Sequence, residues 1–416
     1  MQKFNYIFIG GGIASTKAAE YARKIDPNGS MAIISEEPET LYSRLNLPHF
    51  LKDIIPVERL YLRDDKWYED NNIILFKGKR VTKVQTNPKQ ITIGNEEALE
   101  YEKLLIGTGG TVNLWQLRGA DLPGVFYLRT IDDARRIKEW LDKAKHGVII
   151  GAGFIGLEFS TTFARHNISA DFLVKDDYYW SSMLDQDQGE LLSQMLEAKG
   201  IKIWTREETK EVLGNQKVEK VRTISGKEIE TDVVGVGIGI HNELYFLDGS
   251  GIKTNRGVIT NEYFETNIPG IYAAGDVAEF YDVIFNRQHQ LGNWANAQVQ
   301  GQIAGNNIAL YDKQSALSDK QKYETVSAYS IQVFDGNVSF VGVPRASEKT
   351  KIIKRGTLSD EAIGKILVED GRVVGAALVN RVRESTQIGN LIKNKVNIEG
   401  KEDKLSDPAF DLTTLL

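Results

Sequence analysis

The residues able to do chemistry in this chain gather at three glycine-rich turns. In the first, Gly10, Gly12 and Ser15 follow the apolar run at 6–9, and Ala14, Ala18 and Ala22 stand at helical spacing from the end of the turn. A second apolar run at 31–34 ends at Glu36. Gly10 permits a tight turn, and Gly12 lets backbone approach a pyrophosphate held on the first N–H groups of the helix. Glu36 stands where a carboxylate accepts hydrogen bonds from an adenosine ribose. Ser15 departs from the usual third glycine or alanine. In the second turn, GAGFIG (151–156), Gly151, Gly153 and Gly156 occupy all three fingerprint positions, with Phe154 and Ile155 between them. Past the next apolar run stand Lys175, Asp176 and Asp177. A carboxylate there favours NADH and a cation favours NADPH, so both cofactors stay open. The third stretch, TNIPGIYAAGD (266–276), ends in Gly275 and Asp276, whose carboxylate can accept from a sugar-like hydroxyl. One glycine turn occurs in many α/β proteins; two with strand before and helix after point to two dinucleotides.

These turns require strand–helix–strand units. The spacing predicts strands over 6–9, 31–34, 103–106, 148–150, 170–174 and 271–274. The last is expected to open directly into a helix after Asp276. Thr108 and Gly109, ending the 103–106 strand, are expected near phosphate. LYSR (41–44) begins an irregular turn and short helix whose arginine can neutralise phosphate. Thr130 and Asp133 have capping-box spacing, before a helix with apolar Ile137, Leu141 and Ala144, expected to stop at Gly147. A hairpin is expected over 218–236. Helices are expected over 188–198, over 292–309 with Trp294 as its aromatic, and over 384–396. Asp370-Gly371 between two apolar runs signals a hairpin. The polar stretch 311–320 reads as a linker.

Composition narrows the classes. The chain has 416 residues, 51 basic and 57 acidic side chains, a net charge of -6 and no cysteine. That charge argues against a nucleic-acid partner. The lack of cysteine removes disulfides, thiolate metal sites and any sulfur redox centre within these residues. No apolar run reaches the ~20 residues of a membrane span, and the first residues enter a strand at once, so the expectation is a soluble, cytoplasmic protein without metal.

These pieces, in this order, resemble the two-dinucleotide-binding flavoproteins of the pyridine nucleotide-disulfide oxidoreductase superfamily. Within it, LYSR (41–44), FYLRT (126–130), GFIGLE (153–158), TNIPGIYAAGDVAE (266–279), NWANAQVQGQIAGNN (293–307) and LSDPAFDL (405–412) look like the ferredoxin, rubredoxin and putidaredoxin reductases, with apoptosis-inducing factor as a relative. The resemblance implies an α/β fold with two Rossmann-like domains, the second inserted in the first, and a small C-terminal α+β domain. The boundaries expected are 1–112 with 241–318 for FAD, 113–240 for NAD(P)H, and 319–416 for an interface domain that often makes a homodimer.

It further implies that Arg44 and Arg129 contact the FAD pyrophosphate or its adenosine half, and that Asp276 holds the ribityl chain. Trp294 borders the isoalloxazine, Glu158 lies near flavin N5 and the nicotinamide amide, and Val81 and Gly239 also face the cofactors. Relatives often place a lysine about five residues after the arginine of LYSR. His49 stands there, so a Glu158–His49 pair is expected, with Lys52 as the alternative partner. Two more departures are Gly107, where alanine is common, and AYSI (328–331), which lacks a tryptophan. The activity implied is hydride transfer from NAD(P)H to FAD, then single electrons to a carrier such as ferredoxin or rubredoxin. A surplus of basic side chains over 345–395, eleven against six acidic, could steer an acidic carrier. The alternatives are an NAD(P)H oxidase or quinone reductase, and a flavin-bearing signalling or structural protein. Without cysteine, disulfide reduction and thiol-dependent peroxidase chemistry are excluded.

Overall fold

The computed structural model describes residues 1–311 and 319–416. Of the linker expected at 311–320, residues 312–318 lie outside the described residues. Contacts divide the chain into two units: Met1–Leu45, Pro56–Thr111 and Ile240–Glu324 in one, Asn46–Ile55, Val112–Gly239 and Thr325–Leu416 in the other.

The first unit grows around strand Gln2–Ile9, which is apolar and buried on both faces from Tyr6 onward and exposed only at Gln2 and Lys3. That is the pattern of a central parallel strand covered by helices. It pairs in parallel with Met31–Ile34 on one side and Glu97–Ile106 on the other. Ile73–Phe76 extends the sheet beyond Met31–Ile34. On its other edge strand Glu97–Ile106 is shared by two strands: Lys89–Ile93, antiparallel, along its first half, and Ile271–Ala273, parallel, along its second. Helices Ile13–Ile25 and Trp294–Leu310 pack closely. A Cβ on Gly301 would lie 2.2 Å from the Ala14 carbonyl oxygen, and one on Gly305 2.3 Å from that of Ala18. The small face seen in the sequence therefore sits against a second small-residue helix.

In the second unit the parallel sheet runs Ile201–Thr205, Ser169–Val174, His146–Ile150, Val233–Val236, Val125–Tyr127. A five-stranded antiparallel sheet follows in the C-terminal part, with the expected hairpin Ile363–Glu369 and Arg372–Val379 at its centre. Asp370 and Gly371 both have positive φ (48° and 69°), the backbone of a type I′ turn. Helix Ser385–Lys393 forms inside the stretch expected to be helical. The α/β class with two Rossmann-like units and a small α+β part is the observed architecture.

Three local expectations need correction. After Asp276 the chain enters strand Ala278–Asp282, pairing with Val258–Thr260 and Arg287–His289, and the helix starts only at Trp294. Val277, Phe280 and Tyr281 favour strand there. The hairpin expected over 218–236 forms between Lys220–Thr223 and Glu228–Glu230, but its second arm is shorter than expected: Val233–Val236 belongs to a different sheet, and the two are separated where the Asp232 N–H donates to the His146 carbonyl. The helix capped at Thr130 ends at Leu141; Gly147 lies in strand His146–Ile150, where the Phe163 ring leaves only 2.5 Å for a Cβ.

Candidate functional site

In the first unit the turn after Gln2–Ile9 has little freedom. Gly10 has φ +106°, and a Cβ on it would lie 2.4 Å from the Gly107 carbonyl oxygen. Gly12 differs: its φ is -79°, and a Cβ there would meet nothing within 4 Å. The chain's own packing does not demand glycine at 12. The bare backbone keeps room beside the first helical amides, which a phosphate needs. No side chain caps this helix and its first turn holds no acid, whereas the helices begun by Thr130, Asp185 and Asn293 are all capped by side chains. The turn thus fits a dinucleotide pyrophosphate.

Two of the departures noted in the sequence, Ser15 and Gly107, explain each other. The Ser15 hydroxyl is buried and donates to the Ile9 carbonyl at 3.3 Å. A Cβ on residue 107 would lie 2.3 Å from that Oγ, so serine at 15 fits because 107 is glycine. Thr108 and Gly109 follow at the end of strand Glu97–Ile106, Gly109 with φ +69°. Gly275 donates its N–H to Gln300 Oε1 at 2.8 Å, and its ideal Cβ would be 3.0 Å from that of Ala14. The adjacent Asp276 is held through its carbonyl by Gln290 at 2.8 Å.

The acidic pair after strand Met31–Ile34 is engaged by arginines. Glu36 Oε1 accepts from Arg80 at 2.6 Å, and the same guanidinium reaches Glu243 and the Tyr245 hydroxyl. Burial opposes the Arg80 charge, but hydrogen bonds to the carboxylates of Glu36 and Glu243 outweigh it and raise its pKa. Val81 follows directly and is buried. Glu37 binds Arg44 and accepts from the Tyr42 hydroxyl at 2.6 Å. Burial works against the Arg44 charge too, while Tyr42, Glu37 and more weakly Asp276 hold it on, raising its pKa. Arg44 and Asp276 therefore share one electrostatic neighbourhood. Trp294 opens its helix half-buried against the core.

The second unit repeats the construction. Gly151 has φ +92° and abuts the Gly237 carbonyl oxygen, 2.2 Å from where a Cβ would stand. Gly153 begins helix Phe154–Arg165 without a side-chain cap and, like Gly12, would have nothing within 4 Å of a Cβ. Gly156 lies so close to the Gly151 carbonyl that a Cβ would sit 2.2 Å from it, which explains why this fingerprint is complete. A Cβ on Gly237 would come within 2.9 Å of Ile155. Gly239, at φ +93°, accepts at its carbonyl from the Asn113 N–H at 3.0 Å. Phe154 joins Trp180, Tyr329 and Phe340 in one aromatic cluster, with centroid distances of 4.7, 5.3 and 5.6 Å from Phe154. Burial pushes the Tyr329 hydroxyl up to about 12. Lys175 is exposed beyond strand Ser169–Val174, Asp176 accepts from Ser181 at 2.6 Å, and Asp177 pairs with Arg206 at 2.7 Å. Arg129 belongs to this unit, its N–H on the Asp133 carboxylate at 3.1 Å within the expected capping box.

The partner of Glu158 is Lys52 rather than His49. Lys52 Nζ donates to Glu158 Oε2 at 2.8 Å and to Thr161 Oγ1 at 3.0 Å. Counting from LYSR misplaced the cation. Residues 47–51 form a short helix burying Leu47, Pro48, Phe50 and Leu51, which leaves His49 exposed; the chain leaves the helix at Lys52. Thr161 was missed, although it stands three residues after Glu158, on the same face of one helix. Arg80 was missed because its partners come from two distant stretches, Glu36 and the pair Glu243 and Tyr245.

The basic surplus of 345–395 is spent partly inside the protein. Arg355 is buried and donates to Glu384 and to the Leu405, Asp407, Pro408 and Phe410 carbonyls, pinning LSDPAFDL; Lys365 is buried on the Met183 carbonyl. Lys351 and Lys354 pair with Glu402 and Asp187. Among the described residues no group of His, Cys, Asp and Glu could hold a metal ion, and no helix is long and apolar enough to cross a membrane.

This chain is similar to the nitrite reductase [NAD(P)H] of Bacillus subtilis, at 28% identity over 399 residues, 96% of this chain but 48% of that protein. It thus spans about half the length of that relative. The NADH-rubredoxin oxidoreductase of Clostridium acetobutylicum is 27% identical over 399 residues, covering 96% of this chain and 97% of the relative. Among solved structures, the covalent putidaredoxin reductase–putidaredoxin complex matches with a TM-score of 0.88 at 23% identity, over 100% of this chain and 98% of that one, a likeness of fold. Residues 332–416 match the reductase C-terminal family. Residues 4–301 match the pyridine nucleotide-disulphide oxidoreductase family, and the chain belongs to it.

Proposed function

We propose that the chain is an FAD-dependent NAD(P)H oxidoreductase that serves a small electron-carrier protein such as ferredoxin or rubredoxin. The observation that carries this reading is the duplicated turn. Each unit has a positive-φ glycine against another glycine's carbonyl, then a helix whose first amides are bare of side chains and open at Gly12 or Gly153. FAD, when bound, accepts two electrons as hydride from a nicotinamide and releases them one at a time, chemistry that no side chain of a cysteine-free chain supplies.

The residues' part is placement and charge. Glu36, steadied by Arg80, is assigned to the adenosine ribose. Arg44, Arg129, Thr108, Gly109 and Val81 are assigned to the pyrophosphate and adenosine half, and Asp276 and Trp294 to the ribityl chain and ring. Ala14 and Ser15 line the first turn; Phe154, Ile155, Lys175 and Gly239 belong to the nicotinamide dinucleotide. Lys52 and Glu158 are assigned to the reacting edge. There Glu158 orients the nicotinamide amide, and the Lys52 ammonium favours the negative charge that builds on reduction. The reading includes the three-domain division at 112/113, 240/241 and 318/319, and a cytoplasmic location.

The test is anaerobic stopped-flow reduction by NADH and NADPH. Lys52→Met slows reduction about ten- to hundredfold, the value of one charged hydrogen bond, while His49→Ala leaves it unchanged. Equal rates for Lys52→Met and the parent chain would remove the pair from the reaction.

A further inference from the structure

The segment Asn46–Ile55 is flanked in sequence by the first unit yet packs with the second. Its short helix ends with backbone partners for the Pro48, His49 and Phe50 carbonyls, from the N–H groups of Lys52, Ile54 and Asp53. Side chains take the next carbonyls and add a second bond at Phe50. His166 Nε2 lies 2.7 Å from the Leu51 oxygen, and Arg165 Nε donates to the Lys52 oxygen at 3.4 Å. Lys138 Nζ donates to the Phe50 oxygen at 3.1 Å and to Asp53 Oδ1 at 2.5 Å. His166 is the most enclosed, its side chain 11% exposed, with Asp53 at 3.7 Å and Asp142 at 3.8 Å on its two ring nitrogens. Lysine and arginine side chains such as Lys138 and Arg165 at a helix C-terminus complement its dipole as well as its carbonyls.

One helix thereby holds both ends of one residue. Phe154–Arg165 carries Glu158 and Thr161, which take the Lys52 ammonium, and then Arg165, with His166 at its cap, which take the backbone at 51–52. Eight residues separate Glu158 from His166, about 12 Å of helix, a span that an extended lysine and its peptide bridge. We propose that His166, with Lys138 and Arg165, is a positioning clamp that fixes Lys52 against Glu158, so that nicotinamide reactivity depends on three side chains that touch neither cofactor. The proposal rests on the assignment of Lys52 and Glu158 to the reacting edge.

The test is anaerobic stopped-flow reduction of the FAD-loaded enzyme over a range of NADH concentrations. His166→Leu lowers the limiting rate about tenfold while the half-saturating NADH concentration changes by less than about twofold, because the turn at 151–156 is untouched. His166→Gln, which keeps an N–H for the Leu51 carbonyl, restores the rate to within about threefold of the parent. Lys138→Met, at a partly exposed site, moves the rate in the same direction and carries the test if His166→Leu does not fold. A His166→Leu rate within about twofold of the parent, or His166→Gln as slow as His166→Leu, overturns the clamp. Lys52→Met in the same series separates the failures. If it is slow and the His166 variants are normal, the clamp alone is wrong; if it too is normal, the assignment beneath it is wrong and the clamp has nothing to position.

Discussion

Gly107→Ala should damage the first unit, and Ser15→Ala should repair the damage. Residue 107 has no positive φ, so alanine faces no backbone penalty; the obstacle is the Ser15 Oγ, 2.3 Å from the new Cβ. Leu105 Cδ2 and the Ile9 carbonyl oxygen, at 3.3 and 3.5 Å, can absorb the methyl. Forcing the buried hydroxyl aside costs on the order of 1–3 kcal/mol, or about 2–10 °C in melting temperature for a unit of this size. Ser15→Ala alone loses only a 3.3 Å bond to the Ile9 carbonyl. That carbonyl keeps the Gly107 N–H at 2.8 Å, so the single change costs about 0.5–1 kcal/mol. In the double variant the methyl enters the space left by the hydroxyl, and the coupling energy should be about 1–2 kcal/mol in favour of the pair. Thermal unfolding of the four chains, each saturated with FAD, measures it. A double variant that melts as low as the two single losses add up to would refute compensation between 15 and 107.

Gly12→Val and Gly153→Val should leave melting of the cofactor-free chain within about 0.5 kcal/mol, since both positions have ordinary φ and open surroundings. Gly12→Val should lower FAD affinity at least about tenfold, and Gly153→Val should raise the NAD(P)H half-saturation similarly without loss of FAD; flavin retention and steady-state kinetics distinguish them. The Asp171 carboxylate is partly buried, which opposes its charge, but hydrogen bonds shared with His146 at 2.7 Å and donated by Trp204 prevail and hold its pKa below 3.8. A lowered folded value means the stabilisation is complete above pH 3.8 and is lost as pH falls through the lowered value. Asp171→Asn should therefore flatten the acid limb of a melting-temperature-against-pH profile; an unchanged limb would remove this carboxylate from the acid response.

What could be read from the sequence was what the backbone itself demands. Gly10 and Gly151 mark sharp turns between a strand and a helix, and a turn of that kind needs its glycine wherever the rest of the chain goes. The Asp370-Gly371 hairpin and the Thr130 capping box are local in the same sense. Lys52 was ranked behind His49 because the choice is made by residues far away: helix Phe154–Arg165 decides which side of the short segment faces Glu158. The strand after Asp276 was misread because a glycine–aspartate at a strand end suggested another βα turn, while the strand-favouring Val277, Phe280 and Tyr281 carried the true signal. Ser15 and Gly107 each looked like a flaw alone, and only their contact shows them as one adjustment.

The whole account is tested most directly by the absorbance of the purified chain before and after anaerobic addition of NADH or NADPH. It predicts a yellow protein, or one that turns yellow and stays so when FAD is supplied, with about one flavin per chain, bleached by at least one of the two nicotinamides. A colourless chain that refuses added FAD, or a bound flavin that neither nicotinamide bleaches, would contradict it.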